Sequence, residues 1–126
     1  MDYSYESLTV MVIDDSKTIR FSVSRVLLDA GCQVVTATDG FDALAKIADS
    51  KPDIIFLDVM MPRLDGYQTC ALIKNNSRFR ETPVIMLSSK DGLYDQAQGK
   101  IVGCDHYLTK PFADADLLQA IRDYVQ

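Results

Sequence analysis

The sequence predicts an α/β domain built on a parallel sheet covered by helices on both faces, a doubly wound arrangement. Three observations predict it. The run Ile54-Ile55-Phe56-Leu57 is apolar without alternation and ends in a single carboxylate, Asp58; such a run reads as a strand buried on both faces. Short β-branched runs alternate with helix-period segments along the whole chain, and that alternation calls for right-handed crossovers between parallel strands. Finally, acidic, hydroxyl and lysine residues stand at the ends of these runs, where such sheets place their chemistry.

The elements follow in order. Met1 to Ser7 read as a loose polar tail, so residues 1–8 are expected to be flexible and 9–126 to form one domain. Val10 to Ile13 form the first strand, closed by Asp14-Asp15-Ser16. Ser16 is suited to cap a helix whose apolar positions Ile19, Val23, Val26, Leu27 and Ala30 follow a 3.6-residue period, with Gly31 as a left-handed stop. Gln33 to Ala37 form the second strand, and Thr38-Asp39-Gly40 turns into a helix carrying Ala43, Leu44, Ile47 and Ala48 on one face. Lys51-Pro52-Asp53 ends that helix before the strand of Asp58.

A third helix is expected from about Gly66 to Asn75, and a fourth strand from Pro83 to Leu87, ending at Ser88-Ser89-Lys90. A fourth helix from Asp91 to about Ile101 is poor in apolar residues, which predicts a loosely packed element able to shift. His106 to Thr109 form the fifth strand, followed by Lys110-Pro111-Phe112. Asp114 is expected to cap the last helix, which turns Leu117, Leu118, Ile121 and Val125 to the core.

Composition narrows the function. The chain has 126 residues, 48% of them apolar, and a net charge of −5. That size supports one core, and the negative charge argues against nucleic acid or an anionic membrane as a direct partner. No stretch approaches the ~18 apolar residues of a membrane span, so membrane insertion is not expected. Cys32, Cys70 and Cys104 are odd in number and lack metal-ligand spacing; they read as reduced thiols of a cytoplasmic protein.

With the first strand beside the third, the strand ends bring Asp14, Asp15, Asp58, Ser88 and Lys110 to one rim. Three close carboxylates repel: at ~4 Å and an effective dielectric of ~20 each pair costs on the order of 4 kcal/mol. Lys110 alone does not offset this. A small divalent cation does, and a few hard oxygen donors with room for waters favour Mg²⁺ over Ca²⁺. The bland alternative is a solvated acidic patch, which explains Asp14-Asp15 but not all five residues together. In such a site a carboxylate can act as nucleophile towards phosphorus, with lysine and hydroxyl neutralising and orienting the phosphoryl group. No Gly-rich phosphate loop is present, and His106 is the only histidine, so neither a nucleotide cradle nor a Ser-His-Asp set is expected.

At these spacings Asp14-Asp15, Asp58, Ser88 and Lys110-Pro111 resemble the receiver domain of bacterial response regulators. The resemblance covers about residues 9 to 125 and is nearest to single-domain, chemotaxis-type members. It implies a flavodoxin-like (CheY-like) fold, a five-stranded parallel sheet of order 2-1-3-4-5 with five helices. Thr38-Asp39-Gly40-Phe41-Asp42-Ala43-Leu44 and Met60-Met61-Pro62-Arg63-Leu64-Asp65-Gly66-Tyr67 further resemble regulators of type IV pilus twitching motility.

The resemblance implies roles. Asp58 would accept a phosphoryl group from a histidine kinase (CheA-like). Mg²⁺ would be bound by Asp15, Asp58 and the backbone carbonyl of Met60, and by Asp14 through a water. Ser88, Ser89 and Lys110 would contact the phosphoryl group, and Lys110-Pro111 would be a cis peptide. Tyr107 would turn inward when Ser88 is drawn to the phosphoryl oxygens, changing the face formed by the fourth helix, fifth strand and last helix. A downstream protein would dock on that face. Met60 and Lys90 stand at positions that vary in the family, so the lifetime of the mark does not carry over.

Two other classes compete. A haloacid-dehalogenase-type phosphohydrolase uses a similar set, but needs a second Asp two residues after the nucleophile, where Met60 stands and cannot transfer a proton. It also needs a cap domain. A flavodoxin-like cofactor binder needs a Ser/Thr/Gly-rich phosphate loop after the first strand, and Asp14-Asp15 would repel the phosphate. The expectation is therefore a signalling switch that is not itself an enzyme, with output carried by docking.

Overall fold

Five strands hydrogen-bond in parallel in the order β2-β1-β3-β4-β5, in a computed structural model that describes residues 3–89, 97, 98 and 100–125. They are β1 (Thr9–Ile13), β2 (Gln33–Ala37), β3 (Ile54–Asp58), β4 (Val84–Ser88) and β5 (His106–Thr109). Helices α1 (Lys17–Asp29), α2 (Gly40–Ser50) and α3 (Gly66–Asn75) follow the first three strands, and a C-terminal helix spans Asp114–Tyr124. The doubly wound expectation and the strand order hold. Of the expected helix over 91–101, residues 97, 98, 100 and 101 are helical; residues 90–96 and 99, Lys90 among them, lie outside the described residues. The fold thus shows four complete helices among the described residues, against five expected.

Side-chain alternation splits the sheet into two apolar layers. Ile54 and Phe56 pack with Val10, Val12, Ile85 and Leu87 against Val23 and Leu27 of α1 and Leu117 and Ile121 of the C-terminal helix. Ile55 and Leu57 pack with Met11, Ile13 and Met86 against Ala43 and Ile47 of α2 and Cys70 and Ile73 of α3. This is why the β3 run shows no alternation: both faces of the strand are dry.

Local signals set most helix ends. The Ile19 N–H donates to Ser16 Oγ, and the Asp42 N–H to Asp39 Oδ1, both N-caps of the usual kind. At α3, Asp65 and Gln68 form a reciprocal capping box. Gly31 takes a left-handed φ of 106° just past α1. The C-terminal helix departs from expectation. Ala113, not Asp114, holds its cap position, and the Asp116 carboxylate accepts the Ala113 N–H at 2.8 Å. A carboxylate three residues into the helix reaches back to that N–H, so the cap residue itself needs no polar side chain.

The N-terminal segment also corrects the sequence reading. Tyr3 donates its phenol to the Val125 carbonyl at 2.8 Å, and Tyr5 donates to the Leu118 carbonyl at 3.1 Å. The two rings meet edge to face at 4.9 Å and, with Leu8, pack on the layer beneath the C-terminal helix. Residues 3–8 therefore join the domain rather than trail from it, because tyrosines set among polar residues supply apolar area as well as a donor.

Candidate phosphoryl-transfer site

The site forms where β1, β3, β4 and β5 all end. Asp14 follows β1 and is fully buried; its backbone N–H donates to the Ala37 carbonyl at 3.2 Å, fixing the turn. Its Oδ1 accepts the Ser16 N–H at 2.9 Å, so one carboxylate closes the strand and opens α1. Asp15 is exposed. Asp58 ends β3 and is 4% exposed, with the Met60 N–H reaching its Oδ1 at 3.4 Å. Asp14, Asp15 and Asp58 each bring a carboxylate oxygen within 4.8 Å of the others.

Lys110 sits between two of these acids. Its Nζ lies 3.2 Å from Asp14 Oδ2 and 3.2 Å from Asp58 Oδ1. The loop is held by its backbone as well: the Lys110 N–H donates to the Ser88 carbonyl at 2.7 Å. The Lys110–Pro111 peptide is cis. Ser88 ends β4 and is 1% exposed, one step beyond Leu87, which pairs in register with Asp58. Ser89 is exposed at the same edge. Met60 stands in the loop after β3 with its side chain exposed.

The charges are unevenly matched. Burial, then the neighbouring Asp14, pushes the Asp58 carboxyl up to about 6, while Lys110 and the Met60 N–H pull the other way. Burial works against the charge of Lys110, but Asp14 and Asp58 outweigh it and hold the ammonium above its usual range. A cation beside this carboxylate would favour its charged form, against burial and the like charge of Asp14. The donors fit one of the Mg²⁺ kind: oxygen only, few in number, and open to solvent on the Asp15 side.

Gly66 shows how tightly the loop closes over the strand end. Its N–H donates to the Val59 carbonyl at 2.9 Å, and a Cβ there would strike the Asp58 carbonyl oxygen and lie 2.7 Å from Val59 Cα. Arg63 is left-handed, with φ of 67°, and pairs with Asp39 at 2.5 Å while its guanidinium sits 5.4 Å from the Phe41 ring centroid. The loop carrying Met60 is thereby strapped to the start of α2.

Tyr107, on β5, lies in the half-buried margin of the layer containing Met86, and its phenol meets that of Tyr67 at 2.7 Å. The sequence reading passed over Tyr67, and also Arg20, whose guanidinium donates to the Asp14 backbone carbonyl at 2.7 Å. For Arg20 a faint signal exists: a basic residue at the end of the first turn of α1, one turn on from the loop that carries the acidic pair. For Tyr67 there is none, because its partner lies on a different element. His106 is exposed and stacks on Tyr124 at 5.5 Å, away from the acidic cluster.

Comparison with known proteins agrees with this arrangement. Residues 10–122 match the response regulator receiver domain model. The chain is 67% identical over 125 residues to Protein PilG of Pseudomonas aeruginosa, covering 99% of this chain and 93% of that protein. It is 39% identical over 116 residues to response regulator MprA of Mycobacterium bovis, covering 92% of this chain but 50% of that protein. Among solved structures, the Vibrio cholerae chemotaxis protein CheY4 superposes with a TM-score of 0.91 at 36% identity, covering 94% of this chain and 99% of that one. The chain belongs to the response regulator receiver domain family.

Proposed function

We propose that Asp58 is the phosphoacceptor of a two-component relay and that the chain works as a switch rather than as an enzyme. A carboxylate oxygen of Asp58 attacks the phosphorus of a phosphohistidine on a histidine kinase of the CheA-like kind. The new P–O bond gives an acyl phosphate, the P–N bond breaks, and the departing imidazole takes a proton from solvent. Asp15, Asp58 and the Met60 carbonyl would hold Mg²⁺, with Asp14 acting through a water; the ion supplies charge neutralisation at the transferring group. Lys110 moves its ammonium from Asp58 to a phosphoryl oxygen, and Ser88 and Ser89 donate hydrogen bonds to the others. The observation that supports this reading best is the placement of Asp58: buried, at a strand end, with one ammonium set against two neighbouring acids.

The mark adds roughly −1.5 to −2 charge at the strand end. Ser88 shifts towards it, and the space it leaves further favours the inward setting of Tyr107, whose phenol already meets that of Tyr67 in the unmarked chain. Driving the two arrangements from 1:99 to 99:1 takes ~5.5 kcal/mol of differential stabilisation, the scale of a few charge-assisted hydrogen bonds plus a packed ring. A downstream protein then docks on the face of β5 and the C-terminal helix, together with the fourth helix expected from the sequence, most of which lies outside the described residues.

The 67% identity to Protein PilG supports type IV pilus twitching motility as the pathway. Among the described residues no helix is long and apolar enough to cross a membrane, and reduced thiols fit a cytoplasmic setting. The test is incubation with a small phosphoryl donor, with and without Mg²⁺, followed by intact-mass measurement. One phosphoryl group is expected on the wild type in Mg²⁺ and none on Asp58→Asn. Equal labelling of Asp58→Asn would refute the assignment.

A further inference from the structure

Tyr67 opens α3 directly after Gly66, whose N–H is bound to Val59 and whose backbone lies against the Asp58 carbonyl. The first turn of α3 is thus anchored on the end of the phosphoacceptor strand. Tyr107 stands two strands away, since β4 separates β3 from β5. Tyr107 packs half-buried on the apolar layer that holds Met86, its register partner, and its hydroxyl meets that of Tyr67 at 2.7 Å, so the ring is turned towards the start of α3 over that layer. Both rings border the same apolar layer, where a hydrogen bond competes less with water than it would at the surface.

We propose that Tyr67 is a positioning residue: its hydroxyl holds Tyr107 in the inward orientation and so links the Asp58 strand end to the docking face. This inference rests on the reading of Asp58 as phosphoacceptor and of Tyr107 as the ring that reports its state. It adds a connection through α3 to the one through Ser88. Marking Asp58 is favoured by whatever favours the inward ring, so loss of the Tyr67 hydroxyl weakens binding of the mark although Tyr67 touches neither the acids nor the lysine.

The experiment uses the full chain and beryllofluoride with Mg²⁺ as the phosphoryl mimic. With six tyrosines and no tryptophan, 3-fluorotyrosine labelling with ¹⁹F NMR gives a direct report of ring position, the Tyr107 resonance being assigned by its loss in Tyr107→Phe. Tyr67→Phe keeps the ring and removes only the hydroxyl. It is expected to move the Tyr107 resonance and to weaken beryllofluoride binding about fivefold, the effect of one neutral hydrogen bond. Mg²⁺ affinity alone is expected to stay unchanged. In a Tyr107→Phe background, Tyr67→Phe is expected to have a smaller effect on beryllofluoride binding than in the wild type, because the hydroxyl pair is already broken. An unmoved resonance with wild-type affinity, or full additivity in the double variant, would overturn the proposal. If wild type fails to bind beryllofluoride in Mg²⁺, the phosphoacceptor reading falls first and this inference falls with it; the wild-type titration separates the two failures.

Discussion

Replacing Asp58 by asparagine is expected to stabilise the fold in metal-free buffer, although it destroys the proposed acceptor. Burial and Asp14 raise the Asp58 carboxyl to about 6, from 3.8. In the unfolded chain the same group loses its proton near pH 4. Between about pH 4 and 6 the folded state therefore binds more protons than the unfolded state, and stability falls as pH rises through that window. Above it the cost is constant. A shift of about two units at ~1.4 kcal/mol each gives at most about 3 kcal/mol. Asparagine keeps the shape and carries no such linkage, while Lys110 retains Asp14 at 3.2 Å. In urea, where a small domain loses ~1–3 kcal/mol per molar, the midpoint of Asp58→Asn at pH 8 in EDTA should lie on the order of 1 M above wild type. The gap should close below pH 4, where wild-type Asp58 is protonated in both states. It should also narrow in saturating Mg²⁺, which stabilises the folded wild type by mass action. A midpoint equal to or below wild type at pH 8 in EDTA would refute the view that the pocket is electrostatically strained.

Three further outcomes are expected. Gly66→Ala drives a methyl group into the Asp58 carbonyl and Val59 Cα; it should lower stability by about 1–3 kcal/mol and weaken Mg²⁺ binding, both readable by titration of urea unfolding with Mg²⁺. Tyr5→Phe deletes the hydrogen bond to the Leu118 carbonyl and should cost about 1 kcal/mol, whereas an unchanged midpoint would mean that the N-terminal segment is not docked in solution. Burial pushes the Cys70 thiol up to about 12 and the Cys104 thiol to about 11, so iodoacetamide at pH 8 should label neither until urea unfolds the chain; fast labelling of the native protein would contradict their placement.

The sequence reached far into the site because its signals are local. A strand buried on both faces writes an uninterrupted apolar run, and the residue that ends the run is by the same token at the sheet edge; Asp14, Asp58 and Ser88 were legible for that reason, whereas Lys110 follows a partly exposed edge strand and was legible only as the lysine after the last strand. Capping at Ser16 and Asp39 is equally local, since donor and acceptor lie three residues apart. The cap of the C-terminal helix was misplaced because two acids, Asp114 and Asp116, stand where either could serve, and only backbone geometry chose Asp116.

What the sequence by itself determined was the period of each segment, the class of the sheet and the chemical types gathered at its edge. What the tertiary structure alone decided was which side chains meet across elements: Tyr67 with Tyr107, Arg20 with the Asp14 carbonyl, Arg63 with Asp39, and Tyr3 with Val125 at the far end of the chain. Such pairs leave no periodic trace, because their partners are brought together by the packing of helices on the sheet, and the distance along the chain carries no information about it.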